Sequence, residues 1–314
     1  MLKVKNLKKY FPLTKSLFGK TTHFVKAVDD VSFDIGVQDT LGLVGESGSG
    51  KTTVGRTLLK LIEPTAGSVF FNDVNLFKLN DSQWKSYRKK LQIIFQDPYS
   101  SLNPRMTVGD IISEGMIIHK VFNKTKRLER TKELLNIVGL PQSYITRYPH
   151  EFSGGQRQRI GIARAISLNP DFIVCDEAVS ALDVSIQAQI INLLMDLQEK
   201  FNLSYLFISH DLSVVKHISS NIAVMYAGEI VEQAKTDDLF TEPLHPYTQK
   251  LLSAIPSIYE KKRKRIVEDE DIMNNNTKGC PFFDRCPKRT SLCKESKPEF
   301  KTINDNHKVK CFNI

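Results

Sequence analysis

The run Gly45-Glu46-Ser47-Gly48-Ser49-Gly50-Lys51-Thr52 sets three glycines, a lysine and a hydroxyl at the spacing G-x-x-x-x-G-K-[ST]. Glycine lets the backbone wrap tightly and turn successive N–H groups towards phosphate oxygens. A helix opening at Lys51 adds the partial positive charge of its N-terminus. In that arrangement Lys51 reaches the β- and γ-phosphates of a nucleoside triphosphate and the Thr52 hydroxyl ligates Mg²⁺, with Ser47, Gly48, Ser49 and Thr53 lining the same groups.

Two further constellations carry chemistry. The apolar run Phe172-Ile173-Val174-Cys175 ends in Asp176-Glu177. An acid at a strand tip beside a phosphate loop can hold Mg²⁺ through water, the role read for Asp176, and the next acid, Glu177, can polarise an attacking water. Four cysteines crowd the C-terminal end as Cys280-x5-Cys286-x6-Cys293-x17-Cys311, whereas Cys175 sits alone in an apolar stretch as a core residue. Four thiolates can hold an iron–sulfur cluster or a tetrahedral Zn²⁺. Zinc sites favour close C-x₂₋₄-C pairs, and none exists here, so the wider spacing leans towards [4Fe–4S], with Zn²⁺ and free thiols as the alternatives. Asn123-Lys124-Thr125-Lys126 resembles a guanine-reading NKxD motif, but Lys126 stands where Asp is needed, which argues against a GTPase. Asp176-Glu177-Ala178-Val179 touches the DEAD/DEAH pattern and keeps a nucleic-acid ATPase as a rival.

The elements that must position these residues are legible as an alternation of short apolar strands and amphipathic helices, the mark of an α/β fold. Val28 to Ile35 alternates like a half-exposed strand. Thr40 to Val44 and Ser204 to Ile208 read as buried strands, and a helix is expected from Lys51 to about Ile62, stopped by Pro64. Residues from about 97 to 168 read as a helical insertion, with Leu128, Leu134, Leu135 and Val138 forming an apolar stripe that Gly139 and Pro141 end. The stretch 259–279, with its basic run Lys261–Arg265, acidic run Glu268–Asp271 and Asn274–Asn276, reads as a charged linker. The tail 280–314 is too small to fold on apolar burial alone.

The bulk numbers fit this. The chain has 314 residues, 41% hydrophobic and 25% charged, with a formal net charge of +9. That charge is spread along the sequence and reads as a lysine-rich surface rather than a nucleic-acid site. No apolar run approaches the ~20 residues of a membrane span, and the strand-like start lacks a signal-peptide core, so a cytosolic location is expected.

Phe152-Ser153-Gly154-Gly155-Gln156 separates the readings. With the phosphate loop and Asp176-Glu177, it makes the chain resemble, from end to end, the ATP-binding subunit of an ABC transporter, whose signature is LSGGQ with Leu where this chain has Phe152. The resemblance implies a P-loop ABC-type nucleotide-binding domain over 1–258 with a helical subdomain. Gln96 matches the Q-loop glutamine that senses Mg²⁺ and the lytic water, Ser180-Ala181-Leu182-Asp183 the D-loop, and His210 the switch histidine on the γ-phosphate. Phe11, or its neighbour Tyr10, resembles the aromatic that stacks on adenine. Ala178 stands where the family usually has Pro, a change that keeps the turn small.

Asp97-Pro98-Tyr99-Ser100-Ser101-Leu102-Asn103-Pro104-Arg105, the run Val184 to Gln189 after the D-loop, and Leu244-His245-Pro246-Tyr247-Thr248 are similar to the oligopeptide/dipeptide importer branch, which includes nickel carriers. That branch implies ATP and Mg²⁺ as cofactors, and the cysteine tail as a cluster site. It implies a second ATP-binding subunit in a heterodimer, two transmembrane permease subunits and an extracellular substrate-binding protein, with no nucleic-acid partner. The expected location is peripheral, at the cytoplasmic face of the membrane. In such a dimer Ser153, Gly154, Gly155 and Gln156, with Asp183, complete the site of the partner.

Overall fold

The computed structural model describes residues 1–15, 21–254, 278–304 and 306–314. The expected charged linker, including both charge runs, lies outside the described residues except for Lys278 and Gly279.

Strands β1 (Leu2–Lys15) and β2 (Thr21–Ile35) pair antiparallel. β3 (Thr40–Val44) runs into the phosphate loop and α1 (Lys51–Leu58), after which β4 (Ala66–Phe71) and β5 (Val74–Asn75) return to the first ribbon and complete a four-stranded sheet of order β2-β1-β4-β5. α2 (Asp81–Tyr87) leads to β6 (Leu91–Ile94). Between β6 and β7 (Phe172–Asp176) the chain forms α3 (Val108–Ile118), α4 (Lys124–Ile137) and α5 (Gly154–Ile166), with no strand. α6 (Val184–Phe201), β8 (Ser204–Ser209), α7 (Leu212–Ile218) and β9 (Asn221–Tyr226) follow, then β10 (Glu229–Lys235), α8 (Thr236–Thr241) and α9 (Pro246–Ser253). The C-terminal stretch contributes α10 (Ser291–Glu295), β11 (Lys301–Asn304) and β12 (His307–Val309).

The second sheet has eight strands in the order β11-β12-β10-β9-β3-β8-β7-β6. Five consecutive members, β9-β3-β8-β7-β6, are parallel, with β6 at the edge. Both faces are covered, which is why these strands read as unbroken apolar runs. On β7, Ile173 and Cys175 join one core cluster while Phe172 and Val174 join the other; on β8, Tyr205 and Phe207 oppose Leu206 and Ile208 in the same way. Parallel pairing brings the carboxyl ends of β3, β6, β7 and β8 to one edge, where ligands bind in open α/β sheets. The phosphate loop, Gln96, Asp176-Glu177 and His210 all follow those ends.

Two expectations need correction. α1 stops at Leu58, not near Ile62, because Lys60 turns left-handed (φ 51°) and the Leu61 N–H donates back to the Arg56 carbonyl at 2.9 Å. Leu134, Leu135 and Val138 are buried, but Leu128 in the first turns of α4 stays 48% exposed and does not belong to the stripe.

The tail finds its core in the main body. β12 adds to β10, pairing Val309 with Glu232 and Lys308 with Gln233, and β11 covers β12 in turn. Phe282 is 1% exposed, set against Tyr226, Tyr247 and His245. His307 Nε2 meets Glu232 Oε1 at 2.8 Å, and both side chains are buried.

Candidate functional site

The phosphate loop is shaped by glycines that no other residue could replace. Gly45 (φ 153°) leaves no room for a Cβ, which would fall 2.1 Å from the Met225 carbonyl oxygen; Gly50 (φ 102°) would put one 2.0 Å from the Ala27 oxygen. Inside the turn, Lys51 Nζ donates to the carbonyl oxygens of Gly45 and Glu46, both at 2.8 Å, and to Ser49 Oγ at 3.3 Å. Burial holds its amine below the usual lysine range, against the pull of Glu177, Asp176 and Glu46. A buried ammonium satisfied only by carbonyl and hydroxyl oxygens is poised to accept a more anionic partner.

Thr52, on the first turn of α1, donates its hydroxyl to Asp176 Oδ1 at 2.7 Å. Asp176 is fully buried, and burial pushes its pKa up despite the Thr52 bond and the charge of Arg56. Its Oδ2 lies 3.5 Å from Arg56 Nε yet makes no hydrogen bond. A buried carboxylate oxygen without a hydrogen bond, next to a hydroxyl, is the hard-oxygen donor set that suits Mg²⁺. Arg56 carries no motif; its place one turn after Thr52 on α1 is the signal that could have found it.

Glu177 gathers the remaining residues. It sits with φ 48° at the turn after β7, where its N–H donates to the Ile208 carbonyl at 3.0 Å. Gln96 Nε2 donates to Glu177 Oε2 at 2.8 Å, and His210 Nδ1 lies 3.4 Å from the same oxygen. Gln96 thus bonds to Glu177 and not to the Thr52–Asp176 pair with which it was expected to share a metal ion.

Ser153 caps α5: its Oγ accepts from the Gln156 N–H, while Gln156 Oε1 accepts from the Ser153 N–H at 3.1 Å. Gly154 and Gly155 lie against Leu182 and Ile186, so a Cβ on Gly155 would meet Ile186 at 2.6 Å. Ser153 itself is exposed, leaving the α5 N-terminus open to solvent. Asp183 caps α6, accepting from the Ile186 N–H at 3.0 Å; that backbone bond, with one from the Ser185 hydroxyl, holds its carboxyl below the usual range.

Tyr10 is already engaged. Its hydroxyl donates to Asp29 Oδ1 at 2.5 Å, with Lys26 over its ring at 5.5 Å. Phe11 is exposed, with the Lys9 ammonium 4.8 Å from its ring centre.

In the tail, all four cysteines are free thiols. Cys280 lies within electrostatic reach of Cys293, Cys286 and Cys311, and burial pushes its thiol up to about 11. Cys293 Sγ contacts Thr290 Oγ1 at 3.3 Å and accepts from Asn313 Nδ2 at 3.7 Å. The expectation of a metal-bound tail finds no support in this geometry: among the described residues no group of three or more His, Cys, Asp or Glu is arranged to hold a metal ion. Burial raises the thiols of Cys280, Cys286 and Cys311, which disfavours the thiolate form a metal would need.

The tail also reaches the phosphate loop, which nothing in the sequence signalled. Arg285 Nη1 and Nη2 donate to the two Glu46 carboxylate oxygens at 2.7 and 2.8 Å, and the Glu46 N–H donates to the Tyr247 hydroxyl at 2.8 Å.

Residues 28–180 match the ABC transporter family, and residues 231–293 match the oligopeptide/dipeptide transporter C-terminal region. The chain is 51% identical to the oligopeptide transport ATP-binding protein AppF of Bacillus subtilis over 317 residues, 99% of this chain and 96% of that one. It is 47% identical to the dipeptide transport ATP-binding protein DppF of Haemophilus influenzae over 318 residues, 100% and 97% of the two chains. Among solved structures it is similar to the dimeric ATP-binding cassette MJ0796 in a post-hydrolysis state bound to ADP and Pi, with TM-score 0.67, 27% identity, and coverage of 75% of this chain and 99% of that one. Among the described residues, no helix is long and apolar enough to cross a membrane.

Proposed function

This chain belongs to the ABC transporter ATP-binding family, in its oligopeptide/dipeptide branch, and from that premise we infer that it is the ATP-hydrolysing subunit of a peptide importer. The triphosphate binds over residues 45–52, where Lys51 exchanges the Gly45 and Glu46 carbonyls for β- and γ-phosphate oxygens and Ser47 to Thr53 supply N–H and hydroxyl donors. Phe11, exposed and without a hydroxyl tied to a carboxylate as that of Tyr10 is, stacks on adenine. Thr52 and Asp176 are the residues that would hold Mg²⁺, with Gln96 joining them once ATP is in place; the ion, when bound, neutralises charge building up on the β- and γ-oxygens.

Glu177 orients and polarises the attacking water, and His210 steadies the γ-phosphate. The observation that carries this reading is the meeting of Gln96 and His210 on one oxygen of Glu177, beside the buried Asp176 and the phosphate loop. Replacing Glu177 with Gln keeps the shape and removes the base. The variant should bind ATP normally while the assembled transporter hydrolyses it roughly a hundredfold more slowly or worse. Turnover near that of the wild type would remove Glu177 from this role.

The exposed α5 N-terminus, with Ser153, Gly154, Gly155 and Gln156, is an anion site facing away from the chain's own loop. It completes the ATP site of a second, non-identical ATP-binding subunit, as that subunit's signature completes this one. Closure of the pair on ATP drives two permease subunits fed by an extracellular binding protein, and the chain is held peripherally at the cytoplasmic face through them.

For the tail, the reading is a [4Fe–4S] cluster on Cys280, Cys286, Cys293 and Cys311, with Zn²⁺ as the alternative. Its support is donor chemistry: four cysteines outside any disulfide, with Cys280 within electrostatic reach of the other three.

A further inference from the structure

We propose that Arg285 is a positioning residue for ATP binding, acting on the phosphate loop through Glu46. Glu46 is held from three sides. Its carboxylate takes a two-pronged bond from Arg285, its N–H donates to the Tyr247 hydroxyl, and its carbonyl accepts from Lys51 Nζ. The Arg285 tether on the side chain thus acts together with the Tyr247 tether on the backbone to hold the residue whose carbonyl parks the lysine.

The guanidinium is held in its turn. Its carbon lies 5.8 Å from the Tyr226 ring centre and 5.9 Å from that of Phe282, and the side chain is 18% exposed. Phe282 is buried against Tyr226 and Tyr247, so Arg285 stands on the main core and not on a loose end. A planar fork on a carboxylate gives direction as well as charge.

Charge supplies the second half of the argument. A carboxylate inside a loop built for a polyanion opposes its own ligand unless it is neutralised. Arg285 neutralises it. Without Arg285, Glu46 would keep its charge, lose its anchor, and compete with the triphosphate for Lys51.

The inference rests on reading the loop as the ATP site, and the test separates the two. MgATP binding to the purified full chain is measured by calorimetry, with thermal melting recorded alongside. Wild type must bind MgATP; failure there would overturn the ATP-site reading itself. Arg285→Ala should raise the Kd for MgATP about tenfold, the loss of one charged anchor at a partly exposed pair. Glu46→Gln in that background should return the Kd to within about threefold of wild type, because the unpaired carboxylate is then gone. A residue that served only to fold the tail would not be rescued by a change in the loop. Wild-type affinity in Arg285→Ala, or a loss that Glu46→Gln leaves in place, overturns the proposal. Should Arg285→Ala fail to fold, Arg285→Lys with and without Glu46→Gln supports the same comparison.

Discussion

His245 closes the turn into α9: its Nδ1 accepts from the Tyr247 N–H at 3.0 Å, an N-cap bond available only to the neutral ring. The ring is buried, and burial pushes its pKa down to about 4. Unfolded, the same imidazole titrates near 6.5. The unfolded chain therefore binds the proton first as pH falls, so the stability this residue contributes is complete above about pH 6.5 and is lost on the way to pH 4. Between pH 7 and 4.5 that loss is about 2–3 kcal/mol. His245→Asn keeps a capping oxygen without the titration, so urea unfolding at the two pH values should show a shallower fall by roughly that amount. Glu232, which accepts the residue 245 N–H at 3.0 Å in wild type, is common to both chains and cancels in the difference. Equal slopes would refute the assignment. At this scale much of the site was legible. Lys51, Thr52, Asp176, Glu177, Gln96 and His210 follow strand ends, and local spacing encodes a strand end. Arg285 was not, because its bond to Glu46 spans 239 residues and no local pattern records it.

The helix α5 joins local structure to the shared site. Ser153 satisfies one of the first N–H groups of the helix, and Ala there should cost about 1 kcal/mol of stability. Its hydroxyl is proposed to serve the partner's nucleotide as well, so the two losses can be told apart. Ser153→Ala should leave MgATP affinity of the isolated chain unchanged, since Ser153 bonds within its own cap. Hydrolysis by the assembled pair should fall about tenfold or more, the weight of one donor to a polyanionic transition state. Normal turnover in the assembled transporter would confine Ser153 to capping. Among the elements, β3, β7 and β8 were readable nearly to the residue, because burial on both faces writes continuous apolar runs. The end of α1 was not. Leu61 and Ile62 continue a plausible helical pattern, yet Leu61 is 55% exposed after the chain turns at Lys60. Pro64 was too far downstream to mark that turn.

At the scale of the whole molecule, the tail is the part whose physics the sequence left open. Its lack of an independent core was readable, and among the described residues its buried apolar side chains are few: Phe282, Cys293, Pro298, Val309 and Cys311. How it is stabilised was not readable, because β12 joins β10 through backbone pairing and the Glu232–His307 contact, features without a periodic signature. Docking settles one end on Phe282 and the other on β10, and α10 is held between them by the Cys280 N–H on the Cys293 carbonyl at 2.8 Å and by Lys297 on Glu229, ties that a cluster on the four cysteines would reinforce. A cluster would do this by deprotonating all four thiols, including Cys280, which burial otherwise keeps protonated. The full chain purified without oxygen should then carry about four iron and four sulfide per molecule and a broad visible absorption. Removing the iron by chelation should speed amide exchange in α10, while β3 and β8, whose stability comes from the buried sheet, keep their protection. Stoichiometric zinc without iron would replace the cluster by a single ion. A metal-free chain with an equally protected tail would show that docking on Phe282 and β10 is sufficient by itself.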